Sequence, residues 1–186
     1  SSSSSAEYNI NQFGWVKEKH TFNDAIKRAE SLGGILAKIT SASENNAVLS
    51  KILSEYKPNL LSRDDLEKTY GFDQDTLSIY VWLGGSDYDY EGTWLWKQSN
   101  DPITYTNWGN LNSSTEPDNY NSQNALGMAL EDWPYLLKSF PYGQAGQWND
   151  IDESNELTFI IECTGSKIWC TSATPAECKL PTNCPN

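Results

Sequence analysis

The stretch Ile79-Tyr80-Val81-Trp82-Leu83-Gly84-Gly85 joins five consecutive apolar residues to a glycine pair. A short apolar run of this kind, with β-branched and aromatic residues, predicts a fully buried strand. The glycines are predicted to end the strand, because such a pair is a strong local breaker of regular structure. Helical patterns lie before this strand and short apolar runs lie after it.

Two amphipathic helices are predicted ahead of the buried strand. Thr21 is the predicted N-cap of the first helix, whose apolar stripe ends at Gly33-Gly34. Ser41 and Glu44 form a capping box that begins the second helix. Residues 57–76 are polar and are predicted to be a long loop or insertion.

Short strands and long loops are predicted for the remainder. The predicted strands are Tyr8 to Lys17, Ile35 to Ile39, Gly92 to Trp96, Ala125 to Leu130 and, as the last one, Phe159 to Glu162. Residues 105–119 and 131–147 are predicted to be irregular loops. Two helices followed by short strands and long loops predict an α+β fold.

The composition bounds the possible functions. The chain has 186 residues, which suits one domain, and its 13 basic and 25 acidic side chains give a net charge of −12. Such a balance argues against nucleic acid and anionic membranes, because both attract positive surfaces. The sequence contains no run of ~18 apolar residues, so no membrane-spanning helix is predicted. Residues 1–7 begin with five serines and are predicted to be a linker or an expression remnant.

All four cysteines lie near the end of the sequence, at Cys163, Cys170, Cys178 and Cys184. Their spacing is not that of a zinc site, and the one histidine, His20, is predicted to be a surface residue. An even number of cysteines in a short tail predicts two disulfides and an oxidising compartment, with three pairings open. The alternative is a reduced, disordered tail.

Two acidic stretches predict a cation site. Glu116-Pro117-Asp118-Asn119 contains a proline that stiffens the backbone, and Gln147-Trp148-Asn149-Asp150 contains a large apolar anchor. Each stretch alone is typical of a solvated loop or a turn. Two stiff clusters of oxygen atoms that face one another would suit Ca²⁺, which takes about six to eight oxygen ligands at roughly 2.3–2.6 Å.

These motifs, in this order, resemble the C-type lectin-like domain over residues 8–163. The matching motifs are Ala25 to Leu36, Val81 to Gly85, Gly92-x-Trp94-x-Trp96, Tyr105 to Trp108, Glu116-Pro117-Asp118, Trp148-Asn149-Asp150 and Phe159 to Glu162. The resemblance implies a fold of two helices, short antiparallel sheets and long loops. It divides the chain into residues 1–7, the domain at 8–163 and a cysteine-containing tail at 164–186.

The resemblance also exposes a departure from the family, which usually has two disulfides inside the domain. The four family cysteine positions are Ala29, Ala125, Glu153 and Ile161 here, so both partners of each bridge are absent together. Ala29 and Ile161 are predicted to make an apolar contact between the first helix and the last strand. The aromatic core is then expected to supply the stability that the bridges supply elsewhere.

The sugar-binding members of the family imply a set of calcium ligands. The matching positions are Glu116, Asp118, Gln123, Asn149 and Asp150, with the main-chain carbonyl of Asp150 as a further ligand. The later family glutamate is Gln123 here and the loop asparagine is Asp118, so three carboxylates remain. An auxiliary second calcium site is left open, because Asn119 and Asn124 stand where the family often has acids.

The family also implies how a sugar would bind. Two neighbouring hydroxyls ligate the ion and hydrogen-bond to the side chains that hold it, so the carbohydrate-binding set is Glu116, Asp118, Tyr120, Asn149 and Asp150. The loop is a hybrid of the mannose-type and galactose-type motifs. Tyr120 stands where galactose-binding members often carry an aromatic residue, which favours galactose-like ligands slightly. The alternative is that Tyr120 only packs on its own loop.

The leading hypothesis is therefore a calcium-dependent lectin, a carbohydrate-recognition or cell-adhesion module that is secreted or lies at the cell surface. The alternative is a lectin-like fold that contacts proteins, with calcium structural or absent. An enzyme is not predicted, because the carboxylates are better explained as metal ligands than as glycosidase catalysts. Trp94, Trp96 and Trp108 are predicted to pack in the core rather than to form a sugar platform.

Overall fold

The computed structural model describes residues 8–186, so the predicted linker at 1–7 lies outside the described residues. Three helices are present: α1 (Phe22–Ser31), α2 (Ala42–Glu55) and α3 (Arg63–Tyr70). The strands are β1 (Phe13–His20), β2 (Gly34–Leu36), β3 (Tyr80–Ser86), β4 (Leu95–Trp96), β5 (Asp101–Pro102), β6 (Ala125–Ala129), β7 (Trp148–Ile151), β8 (Leu157–Cys163), β9 (Ile168–Cys170) and β10 (Glu177–Lys179). The predicted α+β class is confirmed.

The main sheet brings the two ends of the domain together. Strand β1 pairs antiparallel with β8, and β8 lies parallel to β3, with Trp82 opposite Phe159. Strand β6 pairs antiparallel with the other edge of β3, β4 pairs with the far end of β3 on the edge opposite β6, and β6 pairs in turn with β7. Among residues 8–186, β3 and β8 are the one parallel pair of named strands, beside an isolated parallel bridge between Trp108 and Trp148, and the other strand pairs are antiparallel as expected.

The predicted buried strand is confirmed as β3, and all seven of its residues are buried. Alternate residues enter separate cores: Val81 and Leu83 join one apolar cluster, and Tyr80 and Trp82 join the other. The glycine pair does not end the strand as predicted. A Cβ at Gly84 would lie 2.8 Å from the Leu36 carbonyl oxygen, so glycine is needed there for close approach of the neighbouring backbone.

Both predicted helix caps are confirmed. The Thr21 hydroxyl accepts a hydrogen bond from the Asp24 N–H, at 3.4 Å, at the start of α1. The Ser41 hydroxyl accepts from the Glu44 N–H at 3.2 Å, and the Glu44 carboxylate accepts from the Thr40 N–H at 2.9 Å. The capping box therefore reaches one residue further back than the standard pattern.

The segment 57–76 is not the loop that its polar composition predicts. It contains α3, which Ser62 caps by accepting from the Asp65 N–H at 3.2 Å. The helix buries only Leu66 and Tyr70, so its apolar stripe is too short to stand out in the sequence. The Tyr70 ring stacks on Trp15 with centroids 5.1 Å apart, which attaches the insertion to the core.

The tryptophans pack in the core as predicted, although the strand around them is shorter than predicted. Only Leu95–Trp96 forms a strand, and Trp94 lies before it. Trp96 is buried, and Trp94 and Trp108 pack edge to face with ring centroids 4.9 Å apart. Trp96 packs against Trp148, and the half-buried Trp94 and Trp108 pack against each other and the first apolar cluster, as expected of packing residues.

The second core cluster lies where the resemblance to the C-type lectin-like family implies a disulfide in other members. Ala29 of α1 and Ile161 of β8 are both fully buried in this cluster. Apolar packing thus joins the helix and the strand where the family has two cysteines, as predicted.

The tail forms two disulfides, as predicted, and folds as a hairpin of β9 and β10. The pairs are Cys163–Cys178 and Cys170–Cys184, so the alternative of a reduced tail is wrong. Because β9 and β10 follow β8, the strand predicted to be the last one is not the last in the chain. Cys163 ends β8, so the first bridge ties the hairpin to the main sheet. Within residues 8–186, no helix combines the length and the apolar character needed to cross a membrane.

The two bridges offer a matched test of how the tail supports the domain. Their sequence separations are 15 and 14 residues, so their effects on the entropy of the unfolded chain are nearly equal. We expect replacement of Cys163 and Cys178 by alanine to lower the free energy of unfolding by about 3 kcal/mol. The Cys170→Ala, Cys184→Ala variant should lose less, because that bridge lies wholly inside the tail. Urea unfolding measures both, and equal losses would contradict the expectation.

Candidate functional site

The two acidic stretches meet at the end of β7. The Asp150 carboxylate accepts hydrogen bonds from the N–H groups of Asp118, at 3.3 Å, and Asn119, at 2.6 Å. This pins the loop against the strand and brings three acids together. Carboxylate oxygens of Glu116, Asp118 and Asp150 lie within 4.8 Å of one another, the one such acidic, histidine or cysteine group among residues 8–186.

Trp148 holds the strand that carries the site, as its predicted role as an anchor requires. Its ring is fully buried, and its Nε1–H donates to the Asn45 side-chain oxygen of α2 at 2.9 Å. The rings of Trp96, Tyr105 and Trp108 surround it edge to face. The following residues, Asn149 and Asp150, are therefore presented from a rigid base.

The remaining predicted ligands lie beside the carboxylates. Gln123 and Asn149 are each 3% exposed, and both line a cavity of about 200 Å³ together with Glu116 and Asp118. Asn149 donates from Nδ2 to the Tyr80 hydroxyl at 3.2 Å. Tyr120 lines the same cavity but is 58% exposed, so its ring is not buried against its own loop.

Two of the predicted ligands carry buried oxygen atoms with no hydrogen-bond partner. These atoms are Glu116 Oε2 and Asn149 Oδ1. A buried acceptor left unpaired costs roughly 1–3 kcal/mol, so a folded protein rarely leaves two in one place without a ligand. A hard cation would satisfy both oxygens and neutralise the acids, and carboxylates with amide oxygens are the donor set that Ca²⁺ prefers. The residues therefore fit this ion.

The electrostatics of the site follow from burial and from like charges. Burial, followed by the negative charges of Asp118 and Asp150, raises the pKa of Glu116 to about 8. Burial, with a contribution from the Asp118 charge, also raises the pKa of Asp150. At neutral pH the three carboxylates repel one another when all are ionised, and a bound cation would relieve this repulsion.

Several residues of the cavity wall were missed from the sequence. Asp75, Thr76, Trp133, Pro134 and Tyr142 complete the lining. They come from the two segments predicted as loops, and a loop prediction does not say where the chain folds back. The number of acids in 57–76 was the only available signal, and it did not point to Asp75 in particular.

A larger cavity, of about 330 Å³, lies elsewhere and is not a comparable site. Its lining includes Lys19, Glu67 and Asn155. No buried side-chain atom without a partner belongs to its lining residues, in the part of the chain that the structure describes. The unpartnered oxygens and the converging carboxylates lie instead around Glu116.

Comparison with known proteins gives two related sequences. No protein-family model matches the chain. A perlucin-like protein of Mytilus galloprovincialis is 26% identical over 145 residues, which cover 78% of this chain and 70% of that protein. Salivary C-type lectin 2 of Aedes albopictus is 23% identical over 154 residues, which cover 82% of this chain and 83% of that protein.

Solved structures show the same architecture. The carbohydrate-recognition domain of the mouse scavenger receptor C-type lectin aligns with a TM-score of 0.53 at 22% identity, covering 82% of this chain and 89% of that one. Human lithostathine aligns with a TM-score of 0.57 at 16% identity, covering 82% and 91%. A calcium-independent type II antifreeze protein aligns with a TM-score of 0.51 at 19% identity, covering 80% and 82%.

The motif order, the sheet that joins the first and last strands of the domain, and these likenesses agree with one another. This chain has the fold of a C-type lectin-like domain.

Proposed function

We propose that the domain binds carbohydrate in a calcium-dependent manner. Glu116, Asp118, Gln123, Asn149 and Asp150 would hold one Ca²⁺ ion, with the Asp150 main-chain carbonyl as a further ligand. The observation that carries the proposal is the buried, unpartnered pair of oxygens, Glu116 Oε2 and Asn149 Oδ1, beside three converging carboxylates. The ion would supply a positive charge to which neighbouring hydroxyls of a sugar coordinate.

The side chains around the ion would orient the sugar. Carboxylates accept hydrogen bonds only, and with Asp118 in the loop the acceptors outnumber the donors. The exposed ring of Tyr120 lies at the cavity, where it would cover the apolar face of a sugar ring. These features support a glycan with neighbouring hydroxyls, galactose-like in preference to mannose-like, as the ligand.

The setting we propose is secreted or at the cell surface. Two disulfides persist in oxidising compartments, and one of the related sequences bears the name of a salivary lectin. The name of the salivary C-type lectin and the likeness to a C-type lectin carbohydrate-recognition domain also support a non-enzymatic role in recognition or adhesion.

A protein-contact function is the second candidate. The likeness to an antifreeze protein described as calcium-independent supports it, since the same fold there serves a different purpose. A glycan panel separates the two functions: a protein that holds calcium but binds no glycan would favour the second.

Calcium binding is the first test. We expect calorimetry to detect one Ca²⁺ per chain with a dissociation constant in the millimolar range or below. Glu116→Gln should weaken binding by on the order of tenfold or more, because it removes a charged ligand. Asp64→Asn, an exposed acid of α3, makes the same change of net charge away from the site and should leave binding unchanged. A wild-type protein that does not bind calcium would contradict the proposal.

Sugar binding at saturating calcium is the second test. Tyr120→Ala should weaken binding of galactose by on the order of tenfold, or ~1.4 kcal/mol, through loss of the aromatic contact. Its calcium affinity should stay close to wild type, because the ring is not a ligand. Equal galactose binding by wild type and variant would show that Tyr120 is not part of the sugar site.

The stability of the calcium-free protein should depend on pH through Glu116. Its pKa is about 8 in the folded state, above the ordinary value of 4.5, so the folded state holds the proton more tightly than the unfolded state. Stability from this group is full below about pH 4.5 and falls as pH rises toward 8.

We expect thermal unfolding of Glu116→Gln in chelator to show a smaller decline over this range than wild type. Saturating calcium should remove most of the difference. Glu162→Gln is the control. Burial raises the pKa of Glu162 to about 7, so its replacement should also reduce the decline. Because this acid is not a predicted calcium ligand, calcium should not remove that difference. An identical decline in wild type and Glu116→Gln would be inconsistent with a role for this acid.

A further inference from the structure

The inserted segment that leads into β3 contacts the amide of Gln123 directly and that of Asn149 through the Tyr80 hydroxyl of β3. Residues 73–76 follow α3, and no part of this segment belongs to the calcium motifs. We propose that it is a positioning device: Asp75 binds the amide nitrogen of Gln123, and Thr76 orients the Tyr80 hydroxyl that binds the amide nitrogen of Asn149, so that both side-chain carbonyl oxygens are left for the ion. The inference rests on the proposed function and adds residues to it.

The contact with Asn149 is a buried chain of hydrogen bonds. Asn149 Nδ2 lies 3.2 Å from the Tyr80 hydroxyl, which lies 3.2 Å from the Thr76 hydroxyl. Thr76 Oγ1 lies 2.8 Å from the Asp73 carboxylate. Tyr80 and Asp73 are fully buried and Thr76 is half-buried, so these bonds are largely shielded from water.

The direction of this chain follows from its two ends. The Thr76 hydroxyl has one proton and donates it to Asp73, the stronger acceptor. Its lone pairs then accept the Tyr80 proton, and the Tyr80 oxygen accepts from the Asn149 amide. Asn149 Nδ2 is thereby committed, and Oδ1 is the atom left without a partner.

The contact with Gln123 is direct. Gln123 Nε2 donates to the Asp75 carboxylate at 2.9 Å. Gln123 stands where the resemblance implies a glutamate, and an amide could turn its nitrogen toward a cation, whereas a carboxylate could not. The negative charge of Asp75 holds that nitrogen away from the ion and leaves Oε1 available.

The segment itself is held in place at two points. The Asn155 side chain donates to Asp73 at 3.0 Å and accepts from the Gln74 N–H at 3.1 Å. The Thr76 N–H adds a second bond to Asp73, at 2.9 Å. Outer partners of metal ligands held this firmly typically affect metal affinity by about 10–100-fold.

Paired variants separate orientation from charge. Asp75→Ala and Asp75→Asn both remove the charge, but asparagine retains an oxygen that accepts from Gln123. We expect calorimetry to show calcium affinity about tenfold weaker in Asp75→Ala, the lower end of the range for such partners, and nearer wild type in Asp75→Asn. Thr76→Val should weaken binding similarly, and Thr76→Ser, which keeps the hydroxyl, should not.

A second measurement reads the device without calcium. In chelator, the side-chain amide protons of Asn149 should exchange slowly with solvent by NMR in wild type and Thr76→Ser, and faster in Thr76→Val. Thermal unfolding of each variant in chelator checks that its fold persists. A structural role alone would lower stability without this pattern of rescue by serine and asparagine.

The outcomes are distinct. Wild-type affinity in both Asp75→Ala and Thr76→Val would overturn this inference while leaving the proposed function standing. Equal weakening by Asp75→Ala and Asp75→Asn would overturn the orientation argument for Gln123, since charge alone would explain it. A wild-type protein that binds no calcium would overturn the proposed function and this inference together.

Discussion

The indole ring of Trp148 is the contact on which the site depends. Its buried Nε1–H binds α2, and its backbone N–H donates to the Asn107 carbonyl at 2.7 Å. Its carbonyl accepts from the Gly109 N–H at 2.9 Å, and the Gly109 carbonyl in turn accepts from the Glu116 N–H at 3.0 Å. One anchored residue therefore fixes the strand that carries Asp150 and the irregular segment that leads to Glu116.

The same arrangement brings negative charges together, which lowers local stability. Glu116 and Asp150 are held near Asp118 although burial and mutual repulsion raise the pKa of both. Elsewhere the fold is locally consistent: capped helices, an alternating buried strand and interlocked aromatic rings. Three acids that converge on one another despite this repulsion are typical of a functional site, where local stability is given up for binding.

Helix α1 and strand β8 are joined by apolar packing rather than by a disulfide. Ala29 and Ile161 are fully buried where the family has cysteines, and the two disulfides lie instead at the end of β8 and in the tail. The hairpin of β9 and β10 lies against β1: a Cβ at Gly14 would lie within 2.5 Å of Trp169 ring atoms. The tail thus covers the strand pair that closes the domain.

Features that depend on residues close together in the chain could be predicted from the sequence. Examples are the helix cap at Thr21, the buried strand around Val81 and the acidic motif at Glu116. Each depends on residues a few positions apart, so local hydrogen bonding and hydrophobic periodicity predict it. The tertiary structure alone decided which distant groups meet. Tertiary packing stabilises α3 through only two buried side chains, and β3 continues through its glycines. The disulfide pairing, one of three possible, and the contact of Asp75 with Gln123, 48 residues away, also depend on the folded chain. Contacts of this kind depend on the packing of the whole chain, because no local pattern encodes a partner so far away in sequence.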